Sequence, residues 1–171
     1  MAKFLGDKPL IQASQFGVVP SELAGFRWLD TRRASAKRWN INVLLVEDDA
    51  ADAALIIHAL QRHPDVATAH TMDSPVAALR LLANGSLQPD LILLDIRMPV
   101  IDGFEFVERL RRSPATYDTP VVFLTTSRLE RDVAAARGCS VCLYVVKPES
   151  LGDLRARLDV VIKRAKSGAW S

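Results

Sequence analysis

The sequence predicts an α/β fold: a doubly wound, five-stranded parallel sheet with helices on both faces. Three observations predict it. Short apolar segments alternate with helix-patterned ones five times between residues 42 and 166. The strand segments are apolar without alternation, as in LILL at 91–94, which indicates strands covered on both faces. Acidic, hydroxyl and basic residues recur just past the strands, where an open parallel sheet forms its functional crevice.

Each element follows from its own pattern. Residues 43–46 are the first apolar run, ended by Glu47, Asp48 and Asp49. Residues 50–62 carry Ala54, Leu55, Ile57 and Leu60 at helical spacing. Residues 66–71 form a weaker strand. Ser74 caps a helix with Pro75 in its first turn, and Val76, Leu79 and Leu82 give it one apolar face before Gly85. Residues 91–94 are the third strand, ending at Asp95. The helix over 103–112 follows, with Phe104, Phe106, Val107 and Leu110 apolar. Residues 120–124 are the fourth strand, ended by Thr125, Thr126 and Ser127. A short helix over 129–137 stops at Gly138. The fifth strand, 143–146, ends at Lys147 and Pro148. Ser150 caps a last helix reaching about Lys166, with Leu151, Leu154, Leu158, Val161 and Ile162 inward. Each crossover is expected to be right-handed.

The 171 residues are 49 % hydrophobic and 25 % charged, a globular composition. No apolar run approaches the roughly 18 residues of a membrane span. The N-terminus lacks a basic-then-apolar signal pattern, so a cytoplasmic location is expected and a membrane is not. The net charge of +2 is uneven. Residues 1–40 hold seven Lys/Arg against three Asp/Glu, whereas the remaining 131 hold 15 against 17. The expected organisation is a basic extension over 1–40, a domain over 41–166 and a tail over 167–171. The extension reads either as disordered or as a short helix over 22–38 capped by Ser21, with Leu23, Phe26 and Leu29 on one face. Its basic residues with Trp28 and Trp39 are a weak signal for nucleic acid, and no nucleic-acid partner is expected. Cys139 and Cys142 precede a strand instead of opening a helix. No second pair completes a four-thiolate site, so they read as small buried or loop residues.

The strand ends carry the chemistry. In a 2-1-3-4-5 order, strands one and three are neighbours at the reversal, so two or three of the carboxylates of Glu47, Asp48, Asp49 and Asp95 would share one small site. Packed carboxylates repel and raise one another's pKa unless something neutralises them. A hard divalent cation does so through oxygen ligands. Magnesium suits such a site because it keeps waters and needs one or two carboxylates plus a phosphate oxygen. Lys147 adds a second positive charge and Thr125 a hydroxyl donor. Such a site stabilises the charge of an in-line phosphoryl transfer. Asp95 reads as the nucleophile, since a carboxylate can form an aspartyl-phosphate. The plainer alternative is that Asp48 or Asp49 merely caps the following helix. Four functional residue types placed at the strand ends argue against that for the whole set.

These residues resemble the receiver domain of two-component response regulators, which has a flavodoxin-like fold. The resemblance lies in VLLVEDD (43–49), PDLILLDIRMPVIDGFEFVERLR (89–111), PVVFLTTS (120–127) and YVVKP (144–148), and covers about residues 42–166. The intervals of 30 residues from Asp95 to Thr125 and 22 from Thr125 to Lys147 are similar to the family's. The resemblance implies that Asp95 is the phosphoacceptor. It implies a magnesium site in which Asp48 is a direct ligand and Glu47 acts through water, joined by Asp95 and the backbone carbonyl of Arg97. Thr125 aligns with the switch hydroxyl, Lys147 with the family's lysine, and Tyr144 with the aromatic that turns inward on phosphorylation. Lys147–Pro148 is a candidate cis peptide. Arg97 and Ser127 lie where family members tune hydrolysis of the phosphate.

The implied donor is a sensor histidine kinase or a histidine phosphotransfer protein. The implied output is a changed face made by the fourth helix (129–137), the fifth strand and the fifth helix, which is also a plausible homodimer surface. TTS, ERDV and KPESLGDL look closer to small stand-alone receivers, some of which serve bacterial phytochrome kinases. Glu149 departs from the aromatic many receivers carry there, and Cys142 and Leu143 from the small or polar residues usual before the tyrosine.

Other readings fare worse. A phosphorelay shuttle is the same chemistry without its own output. An aspartate-nucleophile phosphatase of the haloacid-dehalogenase class needs an acid two residues after the nucleophile, where Arg97 stands. A receiver that signals without phosphate would lack an acid, the threonine or the lysine. A nucleotide-binding flavodoxin-like protein needs a phosphate loop where EDDAAD stands. The expectation is therefore a signalling domain that catalyses only its own phosphorylation and dephosphorylation.

Overall fold

The computed structural model describes residues 40–126 and 143–170. The expectations for residues 1–39, Ser127, the helix over 129–137 and Cys139 and Cys142 lie outside them. The chain divides into two units, Met1–Lys37 and Arg38–Ser171, and all described residues belong to the second. Among the described residues, five strands form one sheet: β1 (Ile41–Val46), β2 (Val66–Met72), β3 (Leu91–Asp95), β4 (Val121–Thr125) and β5 (Leu143–Val146). All neighbours pair in parallel, in the order β2-β1-β3-β4-β5. The described helices are α1 (Ala50–Gln61), α2 (Pro75–Ala83), α3 (Gly103–Arg111) and α4 (Leu151–Ser167).

The apolar runs are continuous because the sheet is covered on both faces. Successive strand side chains point to opposite faces. Leu44 and Val46 of β1 join Ile92, Leu94 and Phe123, and pack with Leu82 of α2 and Phe106 of α3. Val43 and Leu45 join Leu91, Leu93 and Leu124, and pack with Leu60 of α1 and Leu158 of α4. Each such side chain contributes about 1.5–3 kcal/mol by leaving water. The weaker β2 is the edge strand, and none of its residues is fully buried.

The helices start where side chains can take up their free N–H groups. Asp49, Ser74, Asp102 and Ser150 are the N-caps of α1 to α4, each accepting from backbone N–H in the first turn. Gly168, at φ 70, closes α4 in the left-handed conformation. Lys166 ion-pairs with Asp65, and His63 lies 3.3 Å from Asp159, so α4 is fastened to the turn between α1 and β2.

One expectation is corrected. No described peptide bond is cis, so Lys147–Pro148 is trans. The trans form is favoured before proline by about 0.5–1 kcal/mol, and with it Lys147 Nζ reaches Glu47, Asp52 and Asp95.

The β3–α3 turn contains a strained residue. Val100 has φ 74 and is 88 % exposed. Ile101 N donates to Pro99 O at 2.9 Å, the three-residue bond of a γ-turn, whose positive-φ hand is rare. A left-handed conformation costs a β-carbon about 1–2 kcal/mol. Glycine removes that strain but adds about 0.4–1 kcal/mol of unfolded-state entropy. Strain wins, so Val100→Gly is expected to stabilise the domain by about 0.5–1 kcal/mol. Urea unfolding followed by circular dichroism checks this; an unchanged or lower midpoint contradicts it.

Candidate functional site

The carboxyl ends of β1, β3 and β5 open onto a cleft of about 260 Å³. It is lined by Glu47, Asp48, Asp49, Asp52, Asp95, Arg97, Thr126 and Lys147. Since a water takes about 30 Å³ of liquid, the cleft has room for a phosphoryl group and several waters.

Asp95 ends β3 and is 6 % exposed. Both its carboxylate oxygens have donors. Oδ2 accepts the backbone N–H of Arg97 at 2.7 Å, and Oδ1 lies 2.7 Å from Lys147 Nζ. The first contact is the backbone doubling back just past the strand, so β3 itself aims the carboxylate. Gly103 makes this turn possible. Its N–H donates to Ile96 O at 2.9 Å, and a Cβ there would stand 2.7 Å from the backbone oxygen of Asp95.

Glu47 follows β1 and is 2 % exposed, whereas Asp48 is exposed. One carboxylate oxygen from each of Glu47, Asp48 and Asp95 lies within 4.8 Å of the others. Such a hard-oxygen cluster fits a magnesium-like cation. Asp49 plays the helix-capping part: its Oδ1 accepts from Ala51 N at 2.9 Å and Asp52 N at 2.8 Å.

Lys147 supplies the opposing charge from the end of β5. Nζ lies 2.7 Å from Glu47 Oε2, 2.8 Å from Asp52 Oδ2 and 2.7 Å from Asp95 Oδ1. Burial pushes the Glu47 carboxyl above the ordinary range; the Lys147 hydrogen bond opposes this and the charge of Asp95 adds to it. Burial acts to lower the Lys147 ammonium, but its bonds to Asp52, Asp95 and Glu47 outweigh that and raise it above the usual lysine value.

Thr125 ends β4 and is 1 % exposed, paired in register with Val146 and accepting the Lys147 N–H on its carbonyl. Thr126, one residue on, lines the cleft. Tyr144 is half-buried, opposite Phe123 in register, with ring centroids 5.6 Å apart. Phe123 in turn stacks edge-on with Phe104 at 5.3 Å. Thus Glu47, Asp48, Asp95, Arg97 and Lys147 meet in the cleft, while Thr125 and Tyr144 stand on the adjoining strands.

Two lining residues escaped the sequence reading. Asp52 carries a signal in hindsight: it stands three residues after the cap Asp49, on the first turn of α1. Thr126 carries none, because either hydroxyl of a Thr-Thr pair can turn inward.

A parallel sheet with an acidic cleft and a lysine at its carboxyl edge defines a class, and comparison with known proteins agrees with it. The response regulator receiver domain family matches residues 43–159. The chain belongs to that family. It is 35 % identical over 123 residues to the probable methanogenesis regulatory protein FilR2 of Methanothrix harundinacea, covering 70 % of this chain and 79 % of that one. It is 35 % identical over 117 residues to response regulator Rcp1 of a Synechocystis species, covering 66 % and 80 %. It spans between 30 and 52 % of three longer regulators that it also matches.

Among solved structures, the phosphorylated cyanobacterial phytochrome response regulator RcpA superposes with a TM-score of 0.67 at 30 % identity, over 76 % of this chain and 96 % of that one. The Mn²⁺-bound form of Rcp1 gives 0.61 at 32 % identity, over 71 % and 91 %. Receiver domains are signalling modules that work with histidine kinases. No described helix is long and apolar enough to cross a membrane.

Proposed function

We propose that the chain is a phosphoacceptor receiver in which Asp95 takes a phosphoryl group from a histidine kinase or a histidine phosphotransfer protein. The observation that carries this is the clustering of the Glu47, Asp48 and Asp95 oxygens within 4.8 Å, with Lys147 Nζ 2.7 Å from Asp95. Two similar structures, the phosphorylated RcpA and the Mn²⁺-bound Rcp1, support it. Asp48, Glu47 through water, Asp95 and the carbonyl of Arg97 would hold Mg²⁺, which supplies charge neutralisation to an otherwise anionic cleft.

An Asp95 oxygen forms a bond to phosphorus while the P–N bond of the donor phosphohistidine breaks, and the imidazole nitrogen leaves with the electron pair. Lys147 and Thr125 hold the transferred phosphoryl oxygens by charge and hydrogen bond. Tyr144, packed on Phe123, follows Thr125, and the face formed with β5 and α4 changes its partner contacts. Water attack on phosphorus later restores the Asp95 carboxylate and releases inorganic phosphate. Output passes by protein contact, including a homodimer through that same face.

The test is intact mass after incubation with acetyl phosphate. A gain of about 80 Da with Mg²⁺, lost when the metal is chelated, is expected. No gain with Mg²⁺ present would overturn the proposal.

A further inference from the structure

An ammonium has three N–H donors. Those of Lys147 face three carboxylates: Glu47 Oε2 at 2.7 Å, Asp95 Oδ1 at 2.7 Å and Asp52 Oδ2 at 2.8 Å. So engaged, Lys147 has no donor to spare for the phosphoryl oxygens of an incoming donor, and one contact must open before transfer. The Glu47 and Asp95 side chains are 2 % and 9 % exposed. Before the new O–P bond forms, releasing either leaves a buried charge without its partner, which is strongly unfavourable; the Asp95 charge passes to the phosphoryl group only as that bond is made. The Asp52 side chain is 38 % exposed, so water replaces the ammonium there at little cost.

The start of α1 explains why Asp52 is free for this. In a capping box the acid three residues after the N-cap folds back on the backbone N–H of the N-cap residue. Here that donor, the backbone N–H of Asp49, is directed to Glu47 Oε1 at 3.4 Å. The Asp52 side chain turns instead into the cleft and reaches Lys147 from the first turn of α1.

We propose that Asp52 is a positioning residue of the phosphoacceptor site: it holds one N–H of Lys147 while the chain is unphosphorylated and competes with the phosphoryl group for it. This rests on the reading of Asp95 as acceptor. Asp52 thus sets how readily the ammonium turns to the transferred group. A carboxylate that only set the field of the cleft would alter how tightly an anionic donor binds. A competitor for Lys147 alters the limiting rate instead.

The experiment follows phosphorylation of the full chain by intact mass, against acetyl phosphate concentration at saturating Mg²⁺. It compares wild type, Asp52→Asn and Asp52→Glu, with thermal midpoints to confirm folding. Asp52→Asn is expected to raise the limiting rate about two- to fivefold, the range spanned by one exposed ion pair, with half-saturation unchanged. Asp52→Glu restores the competitor and returns the rate toward wild type. A wild type labelled normally, with an unchanged or slower limiting rate in Asp52→Asn or a change confined to half-saturation, overturns this inference and leaves the function standing. A wild type that takes no label at all overturns both.

Discussion

Lys147→Ala is expected to slow phosphorylation by about a hundredfold or more, the usual loss when one preorganised charge-stabilising donor is removed. It is also expected to destabilise the metal-free protein by about 3 kcal/mol. Both effects have one cause. Lys147 is the cation within 2.8 Å of Glu47, Asp52 and Asp95, and two of those side chains are nearly inaccessible to water. Removing one partner of a buried pair costs more than the pair itself contributes, because the remaining charge stays desolvated.

The sign of the pH dependence follows. Burial already raises the Glu47 carboxyl, and the Lys147 hydrogen bond is what opposes it. Without the ammonium, the folded chain binds that proton more tightly than the unfolded chain does. Stability relative to wild type is then best preserved below the pKa of glutamate in the unfolded chain. It falls as pH rises through the higher folded value. Urea unfolding with a chelator present, at acidic and neutral pH, checks this. Equal deficits at both, or none, would contradict it.

Gly103→Ala is expected to destabilise the domain by about 1–3 kcal/mol, the usual cost of overpacking, and to impair phosphorylation with it. In most helices the same change helps, since alanine exceeds glycine in helix propensity by about 1 kcal/mol. Here the added methyl would meet Asp95 O at 2.7 Å, Phe123 Cε1 at 2.9 Å and Ile96 Cα at 3.0 Å. Two of those atoms are backbone, held by β3 and by the Gly103 N–H bond to Ile96 O. They can yield only by shifting the residue that carries the nucleophile. A thermal midpoint lowered by several degrees is the expected readout. A raised midpoint would mean that propensity outweighs the clash.

The strands were legible because burial on two faces leaves no other pattern. LILL at 91–94 has no polar position, and every residue of β3 is buried. The site was legible because the crevice of a doubly wound sheet lies beyond the strands' carboxyl ends. That rule alone gathers the Glu47–Asp48 pair, Asp95 and Lys147, which are far apart in sequence. What escaped depends on side-chain direction. Asp52 looks like a first-turn helix acid until its carboxylate is found 2.8 Å from Lys147 Nζ. Gly103 looks like an ordinary helix start until Asp95 O is found beside it. The trans bond at Lys147–Pro148 is another such detail. Sequence fixes only that a proline follows, and the two isomers differ by about 0.5–1 kcal/mol.

The account turns on Asp95 as the residue that receives phosphate. The most direct measurement is intact mass of wild type and Asp95→Asn after acetyl phosphate and Mg²⁺, with the modified peptide located by fragmentation. The predicted result is a gain of about 80 Da in the wild type alone, placed on the peptide that contains Asp95. Labelling that persists in Asp95→Asn, or that maps to another peptide, would contradict it.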